Sequence, residues 1–220
     1  MDEKLRIGVL VSGVGSNLSA IIDAIDQKVI QVEIRIVISN KKGAQALERA
    51  KKRGLKSIYL DPSQYPNSAE YEIEIVRLFR ESKVEWIVLA GYLKIVSAEL
   101  LSAFSNRILN IHPSLLPAFT GLHAQQQALD YGVKVTGCTV HLVDSGIDTG
   151  PIIAQAAVPV FDNDTVETLS ERILKKEHQI YPMILKWISE KRLRIEGRKV
   201  LLDPAVPLKN SEMISPGDSQ

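Results

Sequence analysis

Five short runs rich in β-branched and other apolar residues recur along the first half of the chain, at residues 6–11, 33–38, 56–60, 85–89 and 107–110. Runs of this length with little alternation are what strands buried on both faces of a parallel sheet require. Between them, residues 17–28, 44–53, 69–82 and 98–104 space their apolar positions three and four apart, the period of a helix with one buried face. Gly54 closes the second of these segments where a helix C-cap belongs. Strand and helix alternate, so the pattern predicts an α/β fold with a doubly wound, mostly parallel sheet.

Beyond Pro117 the pattern changes. A helix at 123–131 precedes two long strand-like runs, 137–143 and 152–160, joined by the loop 144–151, which points to antiparallel strands continuing a Rossmann-like N-terminal half. A helix follows from Thr165, a suitable N-cap, to about Glu190, with Glu167 and Glu171 near its positive end. Pro182 lies inside that pattern and is expected to kink or interrupt it. Residues 192–202 predict an edge hairpin turning at Glu196-Gly197, and residues 203–220, with Pro204, Pro207 and Pro216 and few large apolar side chains, predict a flexible tail. The chain reads as one domain over 1–202, with halves at about 1–105 and 106–202 and no internal repeat.

Composition narrows the partners. In the 220 residues, 27 Lys plus Arg face 26 Asp plus Glu, and a net charge of +1 gives no general attraction for nucleic acid or an anionic membrane. A small-molecule partner is expected. One cysteine, Cys138, forms no internal disulfide and is read as a small buried apolar residue. With only four histidines, and none of His123, His141 and His178 at ligand spacing, no metal site is expected; a structural role is expected for His141, with a site at the end of its strand as the alternative. The apolar run 7–11 is too short for a signal segment or a membrane span, so a cytoplasmic protein is expected.

Two places carry candidate chemistry. Ser12-Gly13-Val14-Gly15-Ser16-Asn17-Leu18 follows the first strand and opens the first helix, where backbone N–H groups and the helix dipole favour an anion. Leu18 occupies the third glycine position of a dinucleotide fingerprint, and Ser39-Asn40 stands where an acid would hold a ribose, so the loop suits a monophosphate better than a dinucleotide. The plain alternative is a tight turn that binds nothing. The second place is Asn110 and His112, two apart at the carboxyl end of the fifth strand, where open α/β sheets place ligands. A core histidine with satisfied nitrogens is the competing reading. The loop 143–151 adds Asp144 and Asp148 among glycines; both suit a turn, and Asp148, beside Thr149-Gly150-Pro151, is the one a turn does not need. An Asn, a His and an Asp without a nucleophilic Ser or Cys fit an acyl transfer in which the substrate itself attacks. Asn110 and His112 would then donate to the carbonyl oxygen, each donor being worth about 3 kcal/mol. Asp148 would orient His112 and manage the proton lost by the attacking amine.

On these residues the chain resembles the phosphoribosylglycinamide formyltransferases, folate-dependent enzymes of purine synthesis. The resemblance runs over about residues 6–199 and rests on SGVGSNL at 12–18, LAGYLKIVS at 89–97, LNIHPSLLPAF at 109–119, GLHAQQQAL at 121–129 and VDSGIDTGPII at 143–153. It implies formyl transfer from 10-formyltetrahydrofolate, as co-substrate and without a metal, to the amine of 5'-phosphoribosylglycinamide, with Asn110, His112 and Asp148 catalytic. It also implies Gly15, Ser16 and Asn17 on the ribose phosphate, Glu177 on the ribose hydroxyls and the Pro113 carbonyl facing the glycinamide. The folate would lie against Tyr92, Leu93, Lys94, Val96 and Asn110, and against Val143, Asp144, Ser145, Gly146, Ile147 and Asp148. A cis peptide at Leu116-Pro117 is implied as well. Thr120 stands where proline is usual, Tyr92 where Phe is frequent and Lys94 where Arg is frequent. Sister activities on formylated folate with another acceptor, or a ligand sensor without catalysis, are the alternatives; a monomer or homodimer is expected.

Overall fold

The computed structural model describes residues 4–204 and the short strand Met213–Ile214. They fall into two compact units: the first runs to Asn110 and takes in Val143–Ser145, and the second holds Ile111–Leu142 and the chain from Gly146 onward.

In the first unit, β1 (Leu5–Val11), β2 (Val32–Ser39), β3 (Ser57–Tyr59), β4 (Trp86–Leu89) and the start of β5 (Ile108–His112) pair in parallel in the order β3-β2-β1-β4-β5. The intervening helices are α1 (Ser16–Asp26), α2 (Gln45–Lys52), α3 (Ser68–Glu81) and α4 (Ala98–Ala103), all within two residues of the sequence expectation at their ends. Ile7, Val9, Leu10 and Val11 are all fully buried, which is why β1 reads as a continuous apolar run. Gly8 interrupts that run for a steric reason. A Cβ there would lie 2.5 Å from the Phe79 ring of α3, so β1 admits the ring only where the strand lacks a side chain. The strand order turns back between β1 and β4, and at such a switch point the loops leaving two neighbouring strands diverge and leave a crevice.

The second unit is built on the antiparallel pair β6 (Val135–Leu142) and β7 (Ile152–Pro159), with α5 (Ala124–Tyr131) before it and α6 (Val166–Ser189) after it. β8 (Leu193–Glu196) and β9 (Lys199–Leu202) make the expected hairpin. β10 (Met213–Ile214) adds antiparallel to β7; the rest of the expected tail, 205–212 and 215–220, lies outside the described residues. Thr165 caps α6 in a reciprocal box with Thr168, as its sequence position suggests.

Of the two outcomes expected at Pro182, interruption does not occur: α6 runs over 24 residues with the proline inside. A mid-helix proline costs about 3 kcal/mol. Around it Ile180, Tyr181, Ile184, Leu185, Trp187 and Ile188 are all buried, and each large apolar side chain so placed returns about 1.5–3 kcal/mol. Packing outweighs the lost backbone bond. Among the described residues no helix is long and apolar enough to cross a membrane.

Candidate active site

The glycine loop sits at the switch point of the first unit. Gly15 is the N-cap of α1 with φ of 76°, a left-handed backbone that glycine adopts without cost. A Cβ on it would lie 2.6 Å from the Ala46 Cβ, and the Ala46 N–H donates to the Gly13 carbonyl at 3.2 Å. The loop is therefore pressed onto the start of α2, and Ser16 and Asn17 open α1 with their backbone N–H groups at its positive end. Ser12 laces this loop to the next: its N–H donates to the Gly91 carbonyl at 3.0 Å, and its Oγ accepts the Leu93 N–H at 2.9 Å while donating to Asn40 Oδ1 at 2.7 Å.

Residues 91–97 follow β4 as a loop in which burial alternates. Tyr92, Lys94 and Val96 turn inward, whereas Leu93 and Ile95 stand 67% and 72% exposed. The Tyr92 hydroxyl, absent where Phe is the common residue, reaches Tyr71 Oη at 3.4 Å, and the Lys94 ammonium sits 5.5 Å from the Tyr71 ring centre. Burial, reinforced by Tyr71, raises the Tyr92 phenol far above its usual range. Val143 packs on the same core cluster as Tyr92 and Val96, with its N–H on the Ile108 carbonyl at 2.9 Å; Asp144 and Ser145 continue from it. Asn110 pairs in register with Leu89 on β4. The first unit thus brings together Tyr92, Val96 and Val143.

In the second unit His112, 5% exposed at the end of β5, faces acceptors on both sides. Nε2 donates to the Phe119 carbonyl at 2.7 Å and Nδ1 lies 3.3 Å from Asp148 Oδ2. Asp148 Oδ2 also accepts the Gly121 N–H at 2.8 Å, and Oδ1 lies 3.6 Å from His141 Nε2. Burial alone would raise the Asp148 carboxyl; the His141 hydrogen bond, the Gly121 N–H and the charges of the two imidazoles outweigh it and hold the group below its ordinary value. Asp148 has a left-handed backbone, φ of 54°, a conformation that Asp and Asn bear better than most residues. Ile147 before it is 56% exposed, and a Cβ on Gly146 would fall 2.0 Å from Thr149 Oγ1, so the loop closes tightly around the acid.

The segment between the prolines is fixed from behind. The buried Thr139 hydroxyl donates to the Ser114 carbonyl at 2.7 Å and accepts the Leu116 N–H at 3.0 Å; Gln155 Nε2 donates to the Leu116 carbonyl and to Thr139 Oγ1, both at 2.9 Å. The Leu116-Pro117 peptide is cis, as the resemblance implies. At Thr120, where proline is usual, the Gln127 side chain holds the turn instead, donating to the Thr120 and Leu122 carbonyls at 3.1 and 2.9 Å. Pro113 is half-buried and Glu177 is buried on α6, where its charge adds to burial in raising the Cys138 thiol.

Sequence reasoning missed three partners of Asp148 and His112. Those from Phe119 and Gly121 are backbone groups and carry no side-chain signal. His141, for which a structural role is expected and a site at the strand's end is the alternative, shares Asp148. Among the described residues no group of three or more His, Cys, Asp or Glu is placed to share a metal ion.

Residues 5–185 match the family described as formyl transferase. The chain is 43% identical over 181 residues to the phosphoribosylglycinamide formyltransferase of Bacillus subtilis, covering 82% of this chain and 93% of that protein. It is 47% identical over 191 residues to the trifunctional purine biosynthetic protein adenosine-3 of Drosophila pseudoobscura pseudoobscura, where the match covers 86% of this chain and 14% of the longer one. The chain thus spans about a seventh of that multifunctional relative. Among solved structures, the crystal structure of glycinamide ribonucleotide transformylase 1 from Symbiobacterium toebii superposes with a TM-score of 0.90 at 50% identity, over 92% of this chain and 95% of that one.

Proposed function

The chain belongs to the formyl transferase family, and from that premise we infer that it transfers the formyl group of 10-formyltetrahydrofolate to the amine of 5'-phosphoribosylglycinamide. The products are phosphoribosyl-N-formylglycinamide and tetrahydrofolate, a step of purine biosynthesis. The observation that carries the reading is Asp148 set between His112 and His141 at 3.3 and 3.6 Å, in a chain alignable with nearly the whole of a monofunctional phosphoribosylglycinamide formyltransferase. The folate, when bound, supplies an activated formyl group; everything else falls to the residues.

The amine nitrogen attacks the formyl carbon directly, since no side-chain nucleophile is needed to carry the group. The carboxamide of Asn110 and the imidazole of His112 counter the negative charge that grows on the formyl oxygen. His112 is held in place for this by the Phe119 carbonyl on Nε2 and by Asp148 beside Nδ1. A carboxylate held below its ordinary pKa is a weak base toward a neutral amine. The nitrogen becomes strongly acidic once its lone pair is committed to carbon, and Asp148, directly or through water, takes the proton then and returns it to the folate N10 as the bond from that nitrogen to the formyl carbon breaks and tetrahydrofolate leaves. Gly15, Ser16 and Asn17 hold the substrate phosphate at the start of α1, Glu177 the ribose hydroxyls, and the Pro113 carbonyl the glycinamide. Tyr92, Leu93, Lys94, Val96 and the 143–147 stretch receive the folate. The enzyme works in the cytoplasm as a monomer or homodimer.

The test is to follow deformylation of 10-formyl-dideazafolate with and without glycinamide ribonucleotide. Turnover strictly dependent on that amine is expected; equal turnover without it would make the protein a hydrolase.

A further inference from the structure

Ser97 is the N-cap residue of α4, yet its own side chain makes no cap bond there. Glu72 of α3 does that work. Its carboxylate, in a residue 2% exposed, accepts the Ser97 N–H at 2.9 and 3.1 Å and the Leu100 N–H at 3.3 Å. It also accepts from Ser97 Oγ at 2.7 Å, a hydroxyl whose single proton is shared with Glu99 Oε2 at 2.6 Å. A buried carboxylate survives only with its lone pairs committed, and these are committed to the last residue of the 91–97 loop and the first turn beyond it. Next to it in the chain, Tyr71, 1% exposed, meets the Tyr92 hydroxyl and lies against the Lys94 ammonium. Two adjacent residues of one helix therefore grip the loop at positions 92, 94 and 97, leaving 93 and 95 turned outward.

We propose that Glu72 is a positioning residue of the formyl-donor site: by fixing Ser97 it sets how Leu93 and Ile95 are presented to the folate. The proposal rests on the reading of residues 92–96 as donor-binding. It separates Glu72 from residues that merely hold α3 to α4, because apolar neighbours such as Ile75, Phe79 and Leu100 already bury that contact, whereas three of the four bonds to the carboxylate come from Ser97 at the end of the loop and one from Leu100 in the turn beyond.

Glu72→Gln keeps the size but turns an N–H₂ group toward donors that need an acceptor. In the full-length variant, amide hydrogen exchange over 91–97 should rise, and the KM for 10-formyl-dideazafolate should increase about tenfold while kcat and the KM for glycinamide ribonucleotide stay within about twofold. Glu72→Asp, which restores the charge on a shorter arm, should recover part of the loss. If Glu72→Gln does not fold, Ser97→Ala decides by the same readouts, with an expected rise of about threefold in donor KM. An unchanged donor KM, a fall in kcat alone, or an equal rise in both KM values overturns the proposal. Wild-type protein that neither binds nor consumes the formyl donor refutes the donor-site reading itself. That result is distinct from a loosened loop with unchanged donor KM, which refutes the role of Glu72 alone.

Discussion

Asp148→Asn isolates one charge with little else disturbed. Asn tolerates the left-handed backbone at this position about as well as Asp, whereas most residues would lose about 1–2 kcal/mol there. Its oxygen can still accept the Gly121 N–H now bound at 2.8 Å. What disappears is a negative charge 3.3 Å from His112 Nδ1 and 3.6 Å from His141 Nε2. Beside an imidazole that carries a charge, such a contact would be worth about 5 kcal/mol at an effective dielectric of about 20, most of it offset by the cost of burying both groups. Removal of a proton acceptor costs about 10²–10⁴ in rate, so kcat in the dideazafolate assay should drop about a thousandfold while both KM values stay within a few-fold. The melting temperature should move by only a few degrees, about 2–4 °C per kcal/mol for a chain of this size. A variant retaining a tenth or more of wild-type kcat would show that Asp148 does not handle the proton. The pH dependence follows from the direction of the shift. The carboxyl titrates below its ordinary value of 3.8 in the folded protein, so its contribution to stability is complete above that pH and is lost as pH falls through the lower, folded value. In Asp148→Asn this acid-side loss should vanish.

His141→Asn removes the strongest of the interactions that lower the Asp148 carboxyl, so the acid limb of kcat against pH should move upward toward the ordinary aspartate range; an unmoved limb would remove His141 from the site. Gly15→Ala forces a left-handed alanine against Ala46, a strain of about 1–2 kcal/mol. Its effect should fall on the KM for glycinamide ribonucleotide, with the donor KM unchanged, and the reverse pattern would count against a phosphate role for that loop.

The strands of the first unit were legible because a strand buried on both faces leaves an unbroken apolar run, as Val9 to Val11 does. Helix ends were legible through caps such as Thr165. That α6 runs on through Pro182 was not legible, because the local cost of the proline is visible in the chain and the buried faces that offset it are not. His141 stays between two readings for a related reason. Alternation along β6 assigns it a side only if the register is regular, and a bulge between Val140 and His141 resets it. The Phe119 carbonyl and the Gly121 N–H could not be read at all, since any residue supplies them. Asn110, His112 and Asp148 stood out because their side chains exceed what strand ends and turns require. Glu72 did not stand out: an acid in a helix rich in acids looks solvated, and only burial distinguishes it.

The hold that Thr139 and Gln155 keep on residues 114–116 means that a stretch without regular secondary structure is wired into β6 and β7 as firmly as a further strand. The exposed turn around Leu122 is held less densely, by the Gln127 side chain and by the Gly121 N–H on Asp148, so substitutions there disturb the backbone less than any made between the two prolines. Redesign that rewrites Ser114 to Leu116 must rebuild its hydroxyl and amide partners at the same time.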